Sequence, residues 1–176
     1  MHPQESPFTG LVDQLGRWQQ SLEELRLTVT EDRPATNDVA LADQLEDAVT
    51  DALAACRMAR DCALQAGEAE VRSDRPTAKL RLSQVHEVSN RLGHLHATSL
   101  AGWERMRDLN ELGRRRGRRW GQWSTACVAT LQDWPVQMVA TLAQLLRCWQ
   151  HLVDNAPAGT RPHSVPRQPD ATIFRN

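Results

Sequence analysis

The densest run of chemically capable side chains in the 176-residue sequence is Gly113-Arg114-Arg115-Arg116-Gly117-Arg118-Arg119-Trp120-Gly121-Gln122-Trp123. Five arginines, Arg114, Arg115, Arg116, Arg118 and Arg119, stand there among three glycines and two tryptophans. Guanidinium forks match phosphate oxygens, glycine lets a backbone come close to a ligand, and an indole offers a face for a base. The chemistry implied is polyanion binding, and Arg105 and Arg107 just upstream extend the charge. A solvated helix–helix corner would carry the same residues. Lys79 is the only lysine and there is no tyrosine, so arginine use is a bias of the whole chain, as expected of a GC-rich, bacterial genome.

Histidine, cysteine and the acids are the next candidates. Di-iron and di-manganese bundles use Glu-x-x-His on two helices, and no Asp or Glu here has a His three residues later. His94 and His96, close to His86-Glu87, are two apart and face nearly opposite sides of a helix. Cys148 and His151 do share a face, but two ligands make a weak metal site. Cys56, Cys62, Cys127 and Cys148 form no CxxC and lie in apolar helical patterns, which makes them small core residues in a reducing compartment. GxSxG and HExxH are both missing. Gly113 to Gly117 lacks the Gly-Lys-Ser/Thr of a phosphate loop, and no strand precedes it. The expectation is a non-enzyme with no catalytic residue, metal or cofactor.

The elements that hold these residues are helical. Leu, Ala, Gln, Arg and Glu dominate, and β-branched and aromatic residues are few. The first helix is expected from an N-cap at Thr9 to about Thr30. Leu11, Leu15, Trp18, Leu22, Leu25 and Val29 form its a/d seam. Pro34 marks the following loop. Asn37 caps a second helix reaching Ala66, with Gly67 as its stop, although Glu68-Ala69-Glu70-Val71-Arg72 could extend it, and a small-residue seam of Ala42, Leu45, Val49, Ala52, Cys56, Ala59, Ala63 and Ala66. Pro76, preceded by Asp74 or Arg75, opens a third helix to about Leu112. Its seam runs through Val85, Val88, Leu92, Leu95, Ser99, Gly102, Met106 and Leu109. A fourth helix is expected from about Arg118 to Asp154. Trp120, Trp123, Cys127, Leu131, Trp134, Met138, Leu142, Leu145, Trp149 and Leu152 keep one phase across Pro135. That favours one kinked helix over two.

The architecture expected is therefore all-α: an antiparallel four-helix bundle of long helices, kinked near Pro135. It comprises a loose N-terminus (1–8), the bundle (9–154) and a Pro-rich flexible tail (155–176) ending near Ile173-Phe174. No membrane span is expected, since Gln122, Gln132, Gln137, Gln144 and Pro135 interrupt the least charged stretch. Met1-His2-Pro3-Gln4-Glu5 does not begin like a signal peptide, so the expected location is cytoplasmic. The net charge of -1 gives no global pull toward nucleic acid. Four broad apolar faces on a 19.8 kDa chain exceed what one bundle buries. A homo-oligomer follows, or a protein partner docked on the Trp-bearing fourth helix. The function expected is a non-enzymatic assembly or accessory subunit. The alternative is a nucleic-acid-binding subunit using Arg114, Arg115, Arg116, Arg118 and Arg119 on phosphates.

Overall fold

The computed structural model describes residues 6–30, 39–112 and 117–156, with side chains left undescribed at 39–42, 103, 105–107, 109–112, 117–122 and 124. The described chain is four helices: α1 (Pro7–Thr30), α2 (Val39–Val71), α3 (Arg75–Leu112) and α4 (Gly117–Asp154). Each packs on its neighbours in sequence, and α1 closes the ring on α4. Partners across α1 and α4 run in opposite order: Gly10 beside Gln144, Gln14 on Gln137, Trp18 on Trp134, Thr28 on Trp123. Phe8 beside Gly67 and Leu15 beside Cys56 give the same sense for α1 and α2. Gly93 beside Met138 and His96 beside Leu131 give it for α3 and α4. The molecule is an antiparallel four-helix bundle.

Its core follows the predicted seams. All six expected α1 positions are buried, and so are Leu45, Val49, Ala52, Cys56, Ala59, Ala63 and Ala66 on α2. Val85, Leu92 and Ser99 of α3 are buried, while Val88 and Leu95 are half-buried. Trp123, Cys127, Leu131, Trp134, Leu145 and Leu152 carry the α4 side. A side-chain amide link joins α1 to α4: Gln14 donates from Nε2 to Gln137 Oε1 at 2.9 Å and accepts from Arg17 at 2.7 Å. A part-buried amide pair of this kind fixes the register of α1 on α4.

Three boundaries differ from expectation. α1 starts at Pro7 rather than after Thr9, with the Ser6 carbonyl accepting from Thr9 and Gly10 at 3.0 and 3.3 Å. Proline suits a first helical position, and Phe8, only 3% exposed, rewards the extra turn by packing on α2. Gly67 does not stop α2, which continues to Val71. A Cβ at Gly67 would lie 3.2 Å from Phe8 Cβ, so the glycine serves a close crossing of α1 and α2. The stop falls at Ser73, with φ of 60°. Its N–H donates to Glu70 O and that of Asp74 to Ala69 O, both at 2.8 Å, which closes a Schellman turn on a serine instead of glycine. Asp74 then caps α3, accepting from the Thr77 N–H at 3.2 Å, so Pro76 takes the second helical position. The loop at 31–36, the Asn37 cap and the tail from 157, including Ile173 and Phe174, lie outside the described residues.

α4 runs unbroken through Pro135. Proline has no N–H, so the carbonyl four residues back, Leu131 O, loses its helical donor. His96 of α3 replaces it, with Nε2 2.8 Å from Leu131 O. A carbonyl only accepts, so Nε2 carries the hydrogen. The His96 ring also lies against Trp134 at a centroid distance of 5.4 Å, and Trp134 meets Trp18 edge-on at 6.3 Å. The interruption in α4 is thus repaired from the neighbouring helix.

Candidate interaction face on the fourth helix

Of the arginine-rich corner, Arg114, Arg115 and Arg116 lie outside the described residues. Arg118 and Arg119 fall in the first turn of α4, and their side chains also lie outside the description. Trp123 is committed to the core: it is 4% exposed and its Nε1–H donates to Thr28 O at 2.8 Å. It ties the start of α4 to the end of α1 and is not a free face for a base.

The thiols are buried and chemically quiet. Burial pushes Cys56 and Cys148 up to about 12, against a small lowering at Cys56 from Arg60 and at Cys148 from a backbone hydrogen bond. Burial likewise raises Cys62, partly opposed by Arg81. Nucleophilic cysteines need the opposite shift, so these three stay protonated at neutral pH. The Cys148–His151 pair does not converge on a ligand. Cys148 is fully buried, while His151 Nε2 lies 3.1 Å from Glu70 Oε1 and its ring meets Phe8 edge-on. Among the described residues no three His, Cys, Asp or Glu side chains are grouped to hold a metal.

Open clefts occur among the described residues. One, of about 550 Å³, lies at the Ser6 end of α1 and mixes Arg147 and His151 with Glu70 and Asp154. Another, of about 440 Å³, lies between α2 and α3 and sets Arg81 and Arg91 beside Glu87 over Met58 and Val88. Both contain opposed charges, and neither converges on one ligand chemistry.

The outer side of α4 is different. With the core seam turned inward, Ala129, Gln132, Val136, Val139, Ala143, Leu146, Gln150 and Val153 form a row on the opposite side, and every one is exposed. Val136, Val139, Leu146 and Val153 are 61, 67, 69 and 60% exposed. The intervals alternate three and four, the spacing of a coiled-coil seam. Between Trp123 and His151 the only formally charged residues of α4 are Asp133 and Arg147, which flank the row. The outer row of α1, by contrast, is Asp13, Arg17, Gln20 and Glu24, the usual solvated pattern. The described tryptophans of α4 point the other way, as their core phase requires: Trp123 and Trp134 are buried and Trp149 is half-buried.

Among the described residues no helix is long and apolar enough to cross a membrane. Comparison with protein-family models, with curated proteins and with solved structures finds no match to the chain. Among the described residues, fold and face together define a four-helix bundle whose α4 carries an uncharged outer row from Ala129 to Val153.

Proposed function

We propose that the protein is a non-enzymatic assembly subunit whose working surface is the outer face of α4. The observation that carries this reading is the exposed, uncharged heptad row from Ala129 to Val153. Fully covering a Val or Leu side chain contributes about 1.5–3 kcal/mol, so four such side chains left in water favour association strongly. Contiguous apolar rows rimmed by polar residues mark protein contact sites. The four cysteines, all free and buried, fit a reducing compartment such as the cytoplasm.

The test is sedimentation of the full chain from an extract of its own cells at native level. Wild type is expected to sediment in an assembly heavier than the 19.8 kDa chain. The double variant Val139→Glu, Leu146→Glu is expected to sediment as a monomer with unchanged helical circular dichroism, because both positions face solvent in the bundle. A wild-type chain that sediments alone overturns the proposal.

A further inference from the structure

The outer row of α4 is complementary to itself. Laid antiparallel against a second copy and centred level with residue 141, it sets Ala129 against the partner's Val153. Gln132 then meets the partner's Gln150, Val136 the partner's Leu146, and Val139 the partner's Ala143; the other half repeats these pairs by symmetry. Each apolar layer joins a larger side chain to a smaller one, which keeps the helix spacing even. The glutamines fall in the same layer, where each amide can donate to and accept from the other.

The flanking charges agree with the same register. Neither Asp133 nor Arg147 has an ion pair among the described residues, and Arg147 makes only a 3.5 Å bond to Gln144. In the centred register Asp133 lies beside the partner's Arg147, and the contact occurs twice. Moving one copy by a heptad in one direction sets Gln150 against the partner's Val139 and Asp133 beside the partner's Asp154. Moving it the other way sets Gln132 against the partner's Ala143 and leaves Asp133 beside the partner's Ala140. A parallel pair stacks alanine on alanine at 129 and 143 and pairs no charges. Polar layers and flanking charges of this kind select register and orientation in coiled coils.

We infer that two copies of the chain form a dimer through an antiparallel α4–α4 coiled coil centred at residue 141, with Gln132–Gln150 layers and Asp133–Arg147 pairs fixing the register. The inference rests on the reading of the α4 outer face as the working surface and adds the identity and geometry of what covers it.

The test uses the purified full chain. Sedimentation equilibrium is expected to give twice the 19.8 kDa chain mass. Ala140→Cys lies next to its own copy across the twofold and is expected to form a covalent dimer with a short bismaleimide. Val153→Cys lies about 36 Å from its own copy at 1.5 Å per residue and is expected not to do so. Asp133→Arg is expected to weaken dimerisation about tenfold, and Asp133→Arg combined with Arg147→Asp to restore it. Cross-linking at position 153 as efficient as at 140 overturns the antiparallel register, as does failure of the charge swap to restore affinity. A purified wild-type monomer overturns self-pairing. If that monomer still enters a larger assembly in extracts through Val139 and Leu146, only this inference falls; if it does not, the proposed function falls with it.

Discussion

Replacing His96 by leucine tests how α4 tolerates a proline in its middle. The change keeps an apolar side chain of similar size beside Trp134 and deletes the donor at 2.8 Å from Leu131 O. Leu131 is fully buried, so water cannot take the donor's place. An orphaned buried carbonyl costs about 1–3 kcal/mol, and that is the expected loss in the wild-type background. Pro135→Ala changes the outcome. Pro135 is exposed, so its ring leaves no core cavity, and alanine returns the backbone N–H that Leu131 O lacks. In that background His96→Leu is expected to cost under about 1 kcal/mol, chiefly the ring contact with Trp134. The double-mutant cycle should therefore show a coupling of about 1–2 kcal/mol, well above the ~0.5 kcal/mol within which independent sites add. Urea unfolding of the four proteins, fitted with a common slope, measures it. Additivity within ~0.5 kcal/mol would refute the claim that His96 substitutes for the missing helical hydrogen bond.

Ser73→Gly should stabilise the bundle by about 1 kcal/mol, because Ser73 holds a left-handed φ of 60°; a thermal melt should rise by about 2–4 °C. The Asp74 carboxyl sits below its ordinary value of 3.8, first because of its hydrogen bonds from Thr77. A lowered folded-state value contributes stability that is present above 3.8 and lost as pH falls through the folded value. Asp74→Asn should therefore flatten the acid limb of the stability–pH curve while still capping α3; an unchanged limb counts against the cap. Cys56, Cys127 and Cys148 are fully buried, so in native protein at neutral pH these three should react with a thiol reagent only at the rate of opening, and in unfolded protein at once, while Cys62, which lines the α2–α3 cleft, should react first. Replacing Arg114, Arg115, Arg116, Arg118 and Arg119 by glutamine should leave the association state unchanged, since the proposed contact row spans Ala129 to Val153; sedimentation of that variant checks it.

Much of the fold was legible because the core side chains are large and regularly spaced. The a/d seam of α1 could turn only one way, and the unbroken phase from Trp123 to Leu152 carried α4 across Pro135. What was not legible depended on which neighbour each residue would meet. Gly67 as a helix stop and Gly67 as a crossing point look identical until Phe8 is placed against it. Ser73 gave no sign of a left-handed turn, because nothing in its type requires one. The role of His96 left a partial signal: a proline inside a helical pattern orphans the carbonyl four residues back, and a donor near the α3 seam was needed. The outer row of α4 escaped for a different reason. Its members are small aliphatics and glutamines interleaved with a stronger tryptophan–leucine core pattern, which masks their own spacing. Only the observed exposure separates Val136, Val139, Leu146 and Val153 from the core. The arginine-rich corner drew attention by composition, but composition does not say where guanidiniums point.

The most direct test of the α4 face is a labelling rate. In the bundle alone Val139 is 67% exposed, and Gln20 on the outer row of α1 is exposed as well. Cysteines introduced as Val139→Cys and Gln20→Cys would then react with a maleimide at similar rates if nothing covered α4. In the native assembly the account predicts that Val139→Cys is protected severalfold while Gln20→Cys reacts freely. Equal rates at the two positions would contradict it.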